Sequence, residues 1–218
     1  MVEELPYAVR RVKRGRRLKV RVDPERGVEV LLPAGAPARS AAAAVAELRP
    51  WIEDQLAERS RLRARLHRPG TVPYLDERLT LVPETGRTRT HRRGGDLLVP
   101  AGPGARASME RWYRRAARAE IAPRLERASG ASGTRYARLT IRNQRTRWAS
   151  CASDGAMSFN WRLLLAPERV LDYVVWHEVC HLEVADHSPR FWALLEARCP
   201  GWREPAGWLR EFGPALVL

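Results

Sequence analysis

Three of the chain's five histidines fall within the eleven residues HEVCHLEVADH, from His177 to His187. His177 and His181 are four apart, so on a helix they leave the same face one turn from each other, the separation that two ligands of one small metal ion need. Two imidazoles alone bind weakly, and a catalytic zinc takes three protein ligands plus an open position for water. His187 is the candidate third donor, but it lies six residues beyond His181. On a straight helix that step is about 9 Å along the axis, so the helix has to end in between. Ser188-Pro189 opens the next helical pattern, which leaves Ala185-Asp186-His187 to turn the chain back. Glu178, beside His177 and within a turn of His181, can reach a water on such an ion without ligating it, and is the candidate general base. Zinc in that set would bring the pKa of water towards ~7 and polarise a carbonyl, while Glu178 would take a proton and hand it to a leaving amine. The chemistry implied is metal-assisted amide hydrolysis.

Other nearby residues have plainer readings. A helical histidine pair is often only packing, but three of five histidines at ligand spacing make that reading poor here. Cys180 lies roughly 100° round the helix from His181 and reads as core rather than as a fourth ligand. Asp172, Glu183 and Asp186 are either partners that orient a ligand imidazole or ordinary solvent-facing charges.

Elements must place these side chains. PERVLDYVVWHEVCHLEV carries a helical pattern after Pro167, behind two β-like runs, YARLTIRNQRTRWASC and MSFNWRLLL, joined by the polar turn ASDGA. SPRFWALLEARC, with Ser188 as N-cap, and PAGWLREF read as further helices. Upstream, residues 106 to 128 set Met109, Trp112, Tyr113, Ala116, Ile121 and Leu125 near one side of an amphipathic helix with an arginine-coated outer face. The amino-terminal runs YAVRRVKR, RLKVRVD and GVEVLLP alternate apolar and basic residues, with DPERG as a turn, and read as an antiparallel meander. From Pro37 helical spacing takes over, with Pro50 marking a break, as two short helices or one kinked helix. LTLVP and DLLVP then read as a hairpin whose HRRGG tip is a surface turn.

Hydrophobic content of 44% with 29% charged residues is the composition of a soluble globular protein. No apolar run approaches the ~20 residues of a membrane span, and the first residues, MVEELPYAVRR, lack a secretory pattern, so the expectation is a cytoplasmic protein without a membrane partner. Cys151, Cys180 and Cys199 are an odd number without CxxC spacing, which supports neither a disulfide framework nor a cysteine zinc knot. The net charge of +14 favours polyanion contact, although only Lys13 and Lys19 among the 39 basic residues are lysines, a pattern that residue-usage bias also produces.

The ordered set RTRWASC, MSFNWRLLLAP, LDYVVWHEVCH and DHSPRFW resembles the YgjP-like metallopeptidases, gluzincin-like zinc proteins distantly similar to SprT-type peptidases. That family typically has arginine-Trp-Gly-Ser-Cys, an Asn-bearing strand, a helix with HELxH, and a histidine in an Asn-His-Ser context before Phe-Trp. Here stand Arg147 to Cys151, Asn160, His177 to His181, and Asp186-His187-Ser188 before Phe191-Trp192. The YLDERLTL stretch and the Trp51 and Trp112-Tyr113 helices extend the likeness over nearly the whole chain. Two departures are visible: Ala149 and Asp76 stand where the family usually has glycine. The metzincins share the six-residue step between second and third histidine but carry a glycine midway, where this chain has Val184, so the turn is expected at Ala185-Asp186 instead.

The resemblance implies zinc held by His177, His181 and His187, with Glu178 as the catalytic glutamate, agreeing with the spacing argument. It implies an α+β fold, in which an amino-terminal antiparallel β-sheet region with helices (1–104) packs on a carboxy-terminal zincin-like helical metallopeptidase domain with a short strand pair (105–218). The expected function is a zinc-dependent peptidase acting on protein or peptide substrates. The strand with Ser158, Phe159 and Asn160 would line the cleft, where zinc peptidases hold substrate as an added strand, or serve edge pairing. Tyr173, Asn160 and the RNQRTR arginines are the candidates for stabilising an oxyanion. The series Arg135, Arg138, Arg142, Arg145 and Arg147 leaves two alternatives open: a DNA-associated protease, or a basic nucleic-acid- or protein-binding module with a non-catalytic zinc. Oligomeric state has no signature in the sequence.

Overall fold

The most apolar runs become the interior strands of their sheets. The computed structural model describes residues 5–13, 16–23, 27–144 and 146–218. Within these residues the fold is mixed, with six α-helices and three small sheets. No helix is long and apolar enough to cross a membrane. Contacts gather the chain into two compact units, Met1–Leu66 joined by Val217, and His67–Leu216 joined by Leu218.

In the first unit, strands β1 (Tyr7–Val12), β2 (Lys19–Asp23) and β3 (Gly27–Pro33) are ordered β1-β3-β2. This departs from the expected meander: β2 and β3 are antiparallel, but β1 runs parallel to β3. Val28 to Leu32 of β3 are all buried, so the strand needs cover on both edges and faces, whereas the arginine-bearing β1 is mostly exposed. The turn expected between β2 and β3 involves residues 24–26, which lie outside the described residues, as does Arg145. Helices α1 (Arg39–Glu47) and α2 (Arg49–Leu66) break at Leu48, with Pro50 in the first turn of α2, where its missing N–H costs nothing. Val22, Val28 and Val30 pack against Ala41, Val45 and Ile52.

The second unit opens with β4 (Thr71–Tyr74), β5 (Glu77–Glu84), β6 (His91–Arg93) and β7 (Asp96–Pro100), in the order β4-β5-β7-β6. The expected LTLVP–DLLVP hairpin is instead a parallel β5–β7 pair, each strand having its own antiparallel hairpin partner, and the Gly94-Gly95 turn joins β6 to β7. The boundary expected after residue 104 therefore falls inside this unit. Tyr113 and Tyr74 tie the sheet to helix α3 (Ala105–Ala131), through hydroxyl bonds to the Pro73 carbonyl at 2.5 Å and to Glu120 at 2.9 Å. Strands β8 (Arg138–Arg142), β9 (Ala149–Cys151) and β10 (Ala156–Asn160) follow in the order β8-β10-β9, so the first of the two expected β-runs splits in two around the central β10. A short 3-10 turn, Trp161–Leu165, leads to α4 (Glu168–Cys180), then α5 (Pro189–Arg198) and α6 (Arg203–Phe212).

Helix α4 buries Val170, Leu171, Val174, Val175, Glu178 and Val179, a stripe at helical spacing. Its start is held from several sides. Leu75, the only non-glycine residue with positive φ (54°) among those described, donates its N–H to the Leu164 carbonyl at 2.7 Å. Asp76 accepts the Glu168 N–H at 3.2 Å, and the Arg124 guanidinium of α3 grips Glu120, Glu168 and Asp172. Asp76, one of the two departures from the family pattern, thus satisfies an amide that the helix start leaves open. Ala149, the other, sits in β9 without positive φ, so the methyl group brings no backbone strain.

Candidate metal centre

His177 stands in the last turn of α4, His181 is the residue that ends it, and His187 comes just before α5. The structure brings all three together: one ligand nitrogen of each lies within 4.8 Å of the others, and the Nε2 atoms of His177 and His187 are 3.0 Å apart. His177 and His181 are half-buried, while His187 is exposed. The turn that returns His187 differs from expectation in place and manner. After Cys180 the chain tightens, Leu182 and Glu183 donating to the carbonyls of Val179 and Cys180. This turn at 181–183 needs no left-handed residue, and a bend at Asp186 completes the reversal. Val184 anchors the turn by burial beside Cys180, Phe191 and Leu195. Its carbonyl meets His181 Nδ1 at 3.0 Å, which turns Nε2 towards the other histidines. Asp186 in turn accepts the Ser188 N–H at 3.2 Å, bridging over His187.

Phe191 forms the floor. It is fully buried, and its ring centre lies 5.0, 4.5 and 4.8 Å from those of His177, His181 and His187. Burial, then the neighbouring imidazoles, pushes His177 down to about 4, so its ring is neutral. His181 is bonded to a carbonyl through Nδ1, and among the described residues His177 Nδ1 is buried without a partner. Three imidazole nitrogens converging on one point are a donor set that suits a divalent cation.

Glu178, next to His177 on α4, is only 6% exposed. Burial pushes its carboxyl up to about 7, against the opposing pull of the Cys151 N–H, which it accepts, and the charge of Arg147. Its Oε2 is buried with no hydrogen-bond partner among the described residues. The Cys151 amide is available because of the β9–β10 register. Trp148, Ser150 and Ala152 lie opposite Asn160, Ser158 and Ala156 as hydrogen-bonded positions, which turns the backbone groups of Ala149 and Cys151 outward.

Several sequence candidates stand elsewhere. Strand β10 has neighbours on both edges, so Ser158 to Asn160 cannot pair with an added strand. Asn160 is buried and its amide is committed: it donates to the Gln144 carbonyl at 2.7 Å and accepts from the Arg162 N–H at 3.1 Å, fastening the loop before β9. Asp172 pairs with Arg124, Glu183 with Arg198, and Asp186 with the Ser188 amide, so none of these bonds goes to a ligand imidazole. Cys180 is fully buried in the core, outside the histidine group. Tyr173 sets its ring edge-on to His177 at 5.8 Å. Phe191, the Val184 carbonyl and the Cys151 amide were not singled out by sequence reasoning as parts of the site, the last two because backbone groups carry no residue signature.

A family model described as YgjP-like, metallopeptidase domain, matches residues 16–212. Comparison with curated proteins returns no match. Among solved structures, the crystal structure of the metallopeptidase zymogen of Pyrococcus abyssi abylysin is similar, at 24% identity over 44% of this chain and 99% of that one, with a TM-score of 0.39.

Proposed function

The chain belongs to the YgjP-like metallopeptidase family, and from that premise we propose that it hydrolyses peptide bonds with zinc held by His177, His181 and His187 and with Glu178 as general base. One observation carries the reading: three imidazole nitrogens converge at the end of a helix that also bears, next to His177, a buried carboxylate oxygen with no partner among the described residues. A zinc ion in that set supplies a Lewis acid that makes water nucleophilic near neutral pH. Glu178, its carboxyl raised to about 7, is suited both to accept a proton from the attacking water and to deliver it to the departing amine. The Cys151 amide holds one carboxylate oxygen, leaving the other for the water. The outward backbone groups of Ala149, on the uncovered edge of β9, are placed to pair with an extended substrate segment, which favours unfolded or flexible polypeptides.

The test is cleavage of casein or an unstructured peptide by the zinc-loaded protein. Activity should vanish with EDTA and return with zinc; robust cleavage by Glu178→Gln would overturn the mechanism.

A second reading rests on charge. Arg111, Arg115 and Arg118 lie at helical spacing on the exposed side of α3, and Arg118 reaches the Leu139 carbonyl of β8, beside the exposed Arg138 and Arg142. Such a surface fits nucleic acid, either as a site that brings the peptidase to its substrates or as the protein's main activity. DNA-stimulated, salt-sensitive cleavage would establish the first; DNA binding that survives Glu178→Gln in a protein without proteolysis would establish the second.

A further inference from the structure

The three histidines are not held alike. His177 is fixed by its helix, and His181 by the Val184 carbonyl. His187 belongs to a connecting segment, is exposed, and among the described residues its ring makes no hydrogen bond other than the contact with His177. Its orientation depends on rings. Phe191 lies beneath, and Trp192 of α5 lies beside it at 5.4 Å, tilted 34°.

Trp192 is itself backed. Trp202 stacks on it at 4.8 Å and 16°, a separation and angle typical of favourable offset stacking. Trp202 is held at two points. Its Nε1 donates to Glu196 at 2.9 Å, and the Arg203 guanidinium lies 4.8 Å from its ring centre. Arg203 also pairs with Glu196, so α5 and the start of α6 close a loop around the indole. The result is a column, His187–Trp192–Trp202–Arg203, with a carboxylate clasping its outer end.

Burial alone does not account for this column. Both indoles are only half-buried, whereas the core of the region is Cys180, Val184, Phe191 and Leu195 beneath them. An indole needed only for its area does not need its N–H and its face fixed at once by a Glu–Arg pair.

We propose that the Trp192–Trp202 column, clasped by Glu196 and Arg203, is the positioning device for His187, and that it sets how tightly the histidine site holds its metal. This rests on the reading of the three histidines as metal ligands. Trp192 and Trp202 are positioning residues, acting through His187.

The experiment measures zinc affinity by competition with a chromophoric chelator, and the absorption spectrum of the cobalt-substituted protein, in four variants. Trp202→Leu should weaken zinc binding about 10- to 100-fold, the usual cost of losing support behind a ligand, and should alter the cobalt bands. Trp202→Phe, which keeps a stacked ring, should recover most of the affinity. Glu196→Gln, which loosens the clasp and keeps every ring, should shift affinity in the same direction by less, and it carries the test should Trp202→Leu not fold. Leu79→Ala, which removes fully buried packing from β5, outside the column and the histidine group, should lower the melting temperature and leave affinity and spectrum as in the wild type. Unchanged affinity in Trp202→Leu or, if that variant does not fold, in Glu196→Gln would overturn the proposal. So would losses in Trp202→Leu and Leu79→Ala that simply follow their melting temperatures. A wild-type protein that takes up no metal would remove the metal reading itself, and the column's role with it, which sets that failure apart from the others.

Discussion

Replacing Glu178 with glutamine separates what the side chain does for catalysis from what it costs the fold. As general base its loss should lower kcat about 10²- to 10⁴-fold. The stability effect follows from burial. Its carboxyl titrates at about 7 in the fold against 4.5 for the ordinary side chain, because burial disfavours the charged form. Between those values the folded, metal-free protein binds a proton that the unfolded chain has already lost, so stability is fully present below 4.5 and falls as pH rises, levelling off above 7. A carboxyl held up by that interval carries about 3 kcal/mol as an upper figure. Glutamine accepts the same Cys151 N–H but does not titrate, so whatever fixed cost its amide has is the same at every pH. Denaturant unfolding of EDTA-treated wild type and Glu178→Gln at pH 5 and pH 8.5 therefore isolates the effect. The stability difference should move in favour of the variant by about 1–3 kcal/mol between the two conditions. A difference that stays constant with pH, or moves the other way, would refute the description of Glu178 as a buried carboxylate whose desolvation outweighs the Cys151 amide and Arg147.

Three more outcomes follow from named contacts. Asp76→Ala removes the acceptor of the Glu168 amide and should cost about 1 kcal/mol, whereas Asp76→Asn, which keeps an acceptor, should cost less; thermal melts compare the two. A methyl group at Gly213 would sit 2.9 Å from Trp148 Cζ2, against a rigid ring, so Gly213→Ala should destabilise by about 1–3 kcal/mol and lower cleavage through the adjacent β9. Free zinc at about 100 times its dissociation constant should raise unfolding stability by about 2.7 kcal/mol; His187→Ala should largely abolish that dependence in the same calorimetric scan.

What could be read in advance followed from short-range order. The four-residue step of His177 and His181, the break before Pro50 and the Ser188-Pro189 start of α5 are all written in neighbouring residues, and the elements form there. Strand partners are not. In each sheet a strand expected to sit in a hairpin or meander is instead parallel to a neighbour: β1 to β3, β5 to β7, and β8 to β10. Such pairing depends on which run most needs cover on both edges, a property of the assembled sheet rather than of the turn between two runs. The turn after His181 was misplaced for a related reason. A search for glycine or a polar bend overlooks that Val184 can serve by burying its side chain and offering its carbonyl. Phe191 was visible only as part of a resemblance; that its ring touches all three histidines is a fact of tertiary geometry.

Leu75 has a consequence for how the molecule comes apart. A leucine at φ 54° sits about 1–2 kcal/mol above its relaxed conformation, and its amide is held by the Leu164 carbonyl, four residues before α4 begins. Fraying of the first turn of α4 would release that hold and the Asp76 contact together, and the hairpin tip would then relax downhill rather than wait in place. Tip and helix start are thus coupled, each losing a hold when the other opens.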